Sequence, residues 1–183
     1  MSLPKVLPSD DPRLKQVAAS VVDVFTPEFQ EQSRNLKACL DAFRLQHGFG
    51  RGIAAPQIGM PLRFIALNLG TGSFCMINPE IVWHSEVRFT MWDDCMCFPD
   101  TLVKVQRYVS ISVRFLDESG QVQEWHQLKR DLAELLQHEI DHLDGVLALD
   151  LAVDQDAMVS RQEFESRRAF FEAQVDYVIH PTT

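Results

Sequence analysis

Cysteine and long apolar runs are both scarce in this sequence of 183 residues. The four cysteines are too few and too widely scattered for the disulfide framework of a small secreted domain. No apolar run approaches the roughly 20 residues that a membrane-spanning helix requires, and the first residues show neither the basic nor the apolar part of a secretion signal. We therefore expect a protein of a reducing compartment, with a cytoplasmic location and no contact with a membrane.

Basic residues are also outnumbered, 17 against 26 acidic ones, which gives a formal net charge of −9. This balance argues against a surface that binds nucleic acid or an anionic membrane. A chain of this length typically forms one domain, which buries roughly 70% of the surface of the unfolded chain. We predict a single domain over residues 1–183, with residues 1–4 as an extension outside the fold.

What the sequence does contain is a strong chemical motif, Gln137-His138-Glu139-Ile140-Asp141-His142. In a helix, residues four apart lie on the same face, so His138 and His142 can reach one cation. Glu139 then lies where a carboxylate can take up the protons of an activated water. With six histidines in the chain, an amphipathic helix with two chance histidines is the alternative. The intervening glutamate favours the metal site.

Two histidines need a third ligand, and Cys95 is the best candidate. Two imidazoles and one thiolate leave the fourth position of a tetrahedral cation open, as a catalytic site requires. Cys39, Cys75 and Cys97 are competitors for this place. A closed structural site with Cys95 and Cys97 also stays open as an alternative, although a C-x-C pair is tighter than the usual C-x2–4-C spacing.

Apolar periodicity predicts helices and strands in one α+β domain. It indicates mostly antiparallel sheets around a central metal-binding helix, with a C-terminal helix after them. Strands are predicted over residues 62–67, 74–77 (closed by Asn78-Pro79), 87–91, 109–115 and 122–125. Helices are predicted from the N-cap Thr26 to Gly48, from a capping box of Asp131 and Glu134 to Asp144, and from Ser160 through residue 179.

Residues 49–59 are rich in glycine and alanine, which indicates backbone that approaches another group closely. No lysine follows and no G-x-G-x-x-G pattern is present, so the stretch does not match a phosphate or dinucleotide loop. We interpret it as a tight loop.

Three separated motifs make the chain resemble the peptide deformylases, metalloenzymes that remove the formyl group from the initiator methionine of nascent bacterial and organellar proteins. Residues 50–57 (GRGIAAPQ) fit the family's G-x-G-x-A-A-x-Q, and residues 137–142 fit its Q-H-E-x-D-H. Residues 93–97 (DDCMC) align with its E-G-C-L-S and match only at the cysteine. The likeness extends over roughly residues 5–150, and it implies the deformylase fold.

The resemblance implies one divalent metal ion, preferably ferrous iron, with zinc, nickel or cobalt as replacements. Its ligands would be Cys95, His138 and His142. Glu139 would act as general acid and base, while the side-chain amide of Gln57 and the backbone N–H of Met96 would stabilise the oxyanion. The substrate-binding positions are predicted to be Gly52, Ile53 and Asp94.

The second motif departs from the family at every position except the cysteine. Asp93 is one methylene shorter than the family glutamate. Asp94 replaces a glycine and places a negative charge beside the predicted metal site. Cys97 replaces a serine and adds an oxidisable thiol. These changes keep two alternatives open: a relative with weak activity or another N-acyl amide substrate, and a non-catalytic metal- or peptide-binding relative. The intact Glu139 and Gln57 favour an enzyme.

The resemblance names a formylated nascent peptide as the substrate. Some bacterial deformylases also dock on the ribosome through a basic C-terminal helix. Residues 160–179 mix arginines with glutamates and aspartates and are not basic overall. We therefore predict no ribosome docking through this segment.

Overall fold

The computed structural model describes residues 4–179, so residues 1–3 of the predicted extension lie outside the described residues. Within them the chain forms four α-helices, eight strands and three single-turn 3₁₀ helices. None of the helices in this part of the chain has the length and apolar character needed to cross a bilayer. The helices are α1 (Pro27–His47), α2 (Arg130–Leu143), α3 (Arg161–Ser166) and α4 (Arg168–Glu172).

The strands are β1 (Gly52–Ala54), β2 (Phe64–Asn68), β3 (Ser73–His84), β4 (Arg88–Asp94), β5 (Thr101–Tyr108), β6 (Ile111–Leu116), β7 (Val122–Trp125) and β8 (Met158–Ser160). They form one sheet of order β1-β2-β3-β6-β7 and a smaller one of order β4-β5-β8. All the pairs within these two sheets are antiparallel. Helix α2 contacts strands of both sheets. The predicted α+β architecture around the metal-binding helix is confirmed.

Helix α1 has the predicted boundaries because its end signals are local. The Thr26 hydroxyl accepts a hydrogen bond from the backbone N–H of Phe29 at 3.2 Å, and Pro27 occupies the first turn, where its missing N–H costs nothing. Gly48 ends the helix with a left-handed φ of 74°. Leu36 and Leu40 are fully buried against the larger sheet.

Helix α2 has the predicted extent, but its start signal was wrong. Lys129 is the N-cap and provides no side-chain hydrogen bond. Asp131 and Glu134 do not form a capping box, because the Glu134 carboxylate is ion-paired with Arg51, 83 residues away in the chain. The helix is stabilised by packing instead: Leu136 is fully buried within the apolar cluster that lies between α2 and the larger sheet.

Three strand predictions need correction. Strand β3 does not close at Asn78-Pro79 but continues to His84, with an irregular register between Ile77 and Glu80. Asn78 tolerates its φ of 50° because its side-chain amide is hydrogen-bonded to the backbone N–H and C=O of Val21. Strand β5 was not predicted. Residues 49–59 are more than a loop, since they contain β1 and a 3₁₀ turn.

The predicted single helix over residues 160–179 is wrong. Ser160 does cap α3, with its hydroxyl accepting from the backbone N–H of Glu163 at 3.1 Å. The chain then breaks at Arg167 into α3 and α4. Residues beyond α4 leave the helical path because the Asp176 carboxylate accepts hydrogen bonds from the backbone N–H and hydroxyl of Thr90 in β4. The segment therefore follows the smaller sheet.

Candidate active site

Three side chains that could bind a metal ion meet where the end of β4 approaches α2. The Cys95 Sγ lies 3.2 Å from the His142 Nε2, which in turn lies 3.2 Å from the His138 Nε2. All three donor atoms lie within 4.8 Å of one another, and all three residues are buried. The sequence had left the third ligand open, and this geometry favours Cys95.

The competing cysteines lie elsewhere or serve other contacts. The Cys39 thiol donates to the backbone oxygen of Pro4, and the Cys75 thiol shares a hydrogen bond with Ser33. Cys97 is near the site, but its sulfur accepts from the Gln57 amide at 3.6 Å. In residues 4–179 the cluster of possible metal ligands contains Cys95 and not Cys97. This arrangement argues against a closed site with two cysteines.

The three residues fit a small divalent cation. Imidazole nitrogens and a thiolate are the donor set that zinc and ferrous iron accept. Burial raises the pKa of the Cys95 thiol well above its ordinary value, and burial also lowers the pKa of His142. His142 is therefore held as the neutral imidazole that binds metal. Burial lowers the pKa of His138 as well, but the Asp93 carboxylate outweighs burial and raises it to about 9, so metal binding there must displace a proton. A thiolate at Cys95 needs a positive charge beside it.

Asp93 and Arg107 hold His138 in orientation. The Nδ1 of His138 lies 3.0 Å from the Asp93 Oδ2, which leaves the Nε2 to face Cys95 and His142. The Arg107 guanidinium donates to the Asp93 Oδ2 at 3.0 Å and to the Asp141 carboxylate. Burial alone would raise the pKa of Asp93, but His138 and Arg107 outweigh it and hold that pKa below its ordinary value. Asp93, although shorter than glutamate, thus reaches its partner.

Arg107 is a buried residue of the candidate site that the sequence reasoning missed. Its side chain is 4% exposed and lies between two carboxylates. A signal for it was present, because Val103, Val105 and Arg107 alternate along β5 and all face the interior. A charged residue that continues a buried alternating row requires buried partners.

Gln57 presents its amide nitrogen to the metal-binding cluster. The Gln57 Oε1 accepts a hydrogen bond from the backbone N–H of Ala54 at 2.7 Å, and this fixes which end of the amide faces the site. The Nε2 then lies 3.5 Å from the Cys95 Sγ. Met96 lines the same cavity. The Ile53 side chain is fully buried in the core, so only its backbone is available for the predicted contact with substrate.

Glu139 lies in a dry position directly against Gly52. A Cβ added at Gly52 would be 2.6 Å from the Glu139 Oε1, so glycine is needed here to make room for the carboxylate. The Glu139 Oε2 is buried and has no hydrogen bond to any residue between 4 and 179. Burial raises the pKa of Glu139 to about 7. A carboxyl group with this pKa can both take up and release a proton near neutral pH.

The negative charge of Asp94 beside the candidate metal site is compensated by a neighbouring arginine. Its Oδ2 accepts a hydrogen bond from the Nη2 of Arg161 in α3 at 2.7 Å. The Arg161 Nε also donates to the backbone oxygen of Pro99 at 2.6 Å. The substitution of the family glycine therefore links the cysteine-bearing turn to the C-terminal part of the chain.

A cavity of about 440 Å³ opens onto the metal-binding cluster. Gly52, Gln57 and Glu139 line its inner end. The C-terminal part of the chain builds another wall, which includes Arg161, Phe164, Tyr177 and Ile179. The cavity can therefore bring a ligand to the cluster, the buried carboxylate and the amide donor together.

Comparison with known proteins gives a consistent family. The family model for polypeptide deformylase matches residues 3–158 of this chain. A peptide deformylase of Mesorhizobium japonicum is 37% identical over 145 residues, which cover 76% of this chain and 78% of that protein. A peptide deformylase of Thermotoga maritima is 34% identical over 142 residues, which cover 76% and 81%.

Solved structures show the same likeness. The crystal structure of the Thermotoga maritima peptide deformylase superimposes with a TM-score of 0.75 at 27% identity, covering 84% of this chain and 100% of that one. The Synechococcus elongatus peptide deformylase in complex with actinonin gives a TM-score of 0.75 at 25% identity, covering 92% of this chain and 86% of that one.

Proposed function

The chain belongs to the polypeptide deformylase family, and from this premise we propose that it hydrolyses the N-formyl group of N-terminal formylmethionine and releases formate. The observation that carries the proposal is that the buried Glu139 lines the same cavity as Cys95 and His138, two members of the cluster of possible metal ligands. A proton acceptor, Glu139, and the candidate metal-binding side chains are therefore close to one cavity.

Cys95, His138 and His142 are the proposed ligands of the divalent metal ion that this family uses. A divalent metal bound by these residues would polarise the formyl carbonyl and lower the pKa of a bound water. We propose Fe²⁺ as the native ion, with Zn²⁺, Ni²⁺ or Co²⁺ as replacements, since a thiolate and two imidazoles suit all of them. Asp93 contributes by fixing the ring of His138 through Nδ1.

Glu139 is the proposed general base and then the general acid. It takes the proton of the attacking water and returns it to the nitrogen of the departing amine. Its pKa of about 7 suits this double role, because neither protonation state is strongly favoured at neutral pH. Gly52 supports the role by leaving room for the carboxylate.

Gln57 and Met96 are the proposed donors to the oxyanion that forms on the formyl oxygen. The Gln57 amide is already oriented by the Ala54 N–H, so it needs no reorganisation when charge develops. A donor of this kind typically lowers the barrier by about 3–4 kcal/mol. The Met96 backbone N–H is assigned the second donor role, and Gly52, Ile53 and Asp94 remain the proposed contacts to the rest of the substrate.

We propose that the substrate is a formylated nascent peptide and that the protein acts in the cytoplasm, where such peptides are made. The net charge of −9 supports the absence of direct nucleic-acid binding. Ribosome docking through the C-terminal part is not supported either. Its arginines are paired with acidic side chains: Arg161 with Asp94, Arg167 with Glu163, and Arg168 with Glu165 and Glu172.

The test is formate release from formyl-Met-Ala-Ser by protein that has been purified without oxygen and loaded with Fe²⁺. A Glu139→Ala variant with the same metal content is the matched control. Release by the wild type that exceeds the variant by about 10²-fold or more is expected. Equal release from both proteins, or none from either, would overturn the proposal.

A further inference from the structure

A buried ion pair that the proposed mechanism does not use forms one wall of the active-site cavity. The Arg51 Nη2 donates to the Glu134 Oε1, and the Arg51 Nη1 donates to the backbone oxygen of Asp131 at 2.9 Å. The two paired side chains are only 12% and 2% exposed. Both line the cavity that opens onto the metal-binding cluster. A charged pair is therefore part of the surface that a substrate meets.

The pair lies beside the reacting group. Glu134 precedes His138 by four residues in α2, so it lies on the same helix face and about 6 Å further toward the helix N-terminus. Arg51 directly precedes Gly52, which contacts Glu139. In a substrate, the side chain of the formylated residue starts two bonds from the formyl-bearing nitrogen. A side chain of about methionine length that extends from there toward the N-terminus of α2 would meet the ion pair.

The ion pair retains hydrogen-bonding capacity on the cavity side. A guanidinium has five N–H donors, and the two contacts above use two of them. In the part of the chain that the structure describes, no hydrogen bond reaches the Glu134 Oε2. Burial raises the pKa of Glu134 to about 7 even though Arg51 opposes the shift. Both groups would therefore gain from a polar partner inside the cavity.

The chemistry of the pair distinguishes between substrate side chains. An apolar side chain would cover the guanidinium and the carboxylate without giving them partners, and such a mismatch disfavours binding. When the Glu134 carboxylate is ionised, the pair is neutral as a whole and offers no net attraction to a charged side chain. An uncharged side chain with both a donor and an acceptor satisfies both groups. The methionine thioether is a weak hydrogen-bond acceptor, so we expect a formyl-Met substrate to rank between substrates with uncharged polar and with apolar side chains.

We propose that Arg51 and Glu134 form the subsite for the side chain of the formylated residue, and that this subsite selects an uncharged polar side chain of about methionine length, such as glutamine, over an apolar one. The proposal rests on the deformylase activity proposed above and adds the class of side chain that the site prefers. Methionine remains a substrate, and the preference concerns relative rates.

The test compares kcat/KM for three peptides that differ only in the formylated residue: formyl-Gln-Ala-Ser, formyl-Met-Ala-Ser and formyl-norleucyl-Ala-Ser. The expected order is glutamine, then methionine, then norleucine, with about tenfold or more between the first and the last. Norleucine equal to or better than glutamine would overturn the proposal while leaving the deformylase activity intact. Release from none of the peptides would instead refute the proposed function, and the subsite proposal with it.

Variants of Arg51 and Glu134 test whether this ion pair causes the preference for glutamine over norleucine. An Arg51→Leu, Glu134→Leu double variant should prefer norleucine to glutamine. The matched control is an Arg114→Leu, Glu124→Leu variant, which removes a pair on the surface and should keep the wild-type order. If the first double variant does not fold, Glu134→Gln keeps the side-chain volume and should lower the glutamine-to-norleucine ratio at least about threefold. A ratio that does not change in any pair variant would contradict the proposal.

Discussion

Replacement of Arg107 by methionine tests the part of the site that holds His138. The substitution keeps most of the side-chain length but leaves the buried Asp93 carboxylate without its cation. Both side chains are only 4% exposed, so solvent does not screen their charges. Loss of one partner from such a pair typically costs about 3–5 kcal/mol of unfolding free energy. For a chain of this size, that loss lowers Tm by about 6–20 °C. Metal affinity should also fall about 10–100-fold, because His138 loses its orientation.

The assay is thermal unfolding together with titration of the metal-free protein with Zn²⁺ or Co²⁺. Arg114→Met is the matched control: it breaks an ion pair with Glu124 in which the arginine side chain is 53% exposed, and because solvent screens such a pair, the unfolding free energy should change little. Adding Asp93→Asn to the Arg107→Met variant should recover part of the stability, because the buried carboxylate that has lost its guanidinium is removed. Equal losses for the two arginine variants would refute the reasoning.

The remaining predictions concern three single substitutions. Gly52→Ala should reduce kcat about 10²-fold or more, since its Cβ would displace the Glu139 carboxylate; a kcat within a factor of three of wild type would contradict the assigned contact. Asp94→Gly should lower the unfolding free energy by no more than about 1 kcal/mol in urea titrations, because its pair with Arg161 is partly exposed. Thr26→Ala should cost about 0.5–2 kcal/mol through loss of the N-cap hydrogen bond, and an unchanged urea midpoint would show that the cap contributes nothing.

Features that depend on local sequence were predictable. The α1 boundaries follow from an N-cap, a first-turn proline and a glycine with left-handed φ, all within or beside the helix. The two histidines on one face of α2 follow from the helical repeat alone. The sequence predicted a cysteine as the third ligand and favoured Cys95. The resemblance or the structure was needed to decide among the four cysteines.

Features that depend on distant partners were not predictable. Glu134 was predicted to be a capping residue because its spacing from Asp131 fits a capping box. Its partner in the structure, Arg51, is 83 residues away in the chain. Arg107 meets Asp93 and Asp141 across separations of 14 and 34 residues. The C-terminal helix was predicted too long because Asp176 binds Thr90, 86 residues away. Local patterns carry no information about these pairs.

The most direct test of the central account is formate release per bound metal ion in wild type and in Glu139→Gln. The substitution removes the proton acceptor and keeps the shape of the side chain. The account predicts that Glu139→Gln still binds one divalent metal ion through Cys95, His138 and His142. It also predicts that formate release from formyl-Met-Ala-Ser falls by about 10²–10⁴-fold. A metal-loaded variant that releases formate at the wild-type rate would contradict it.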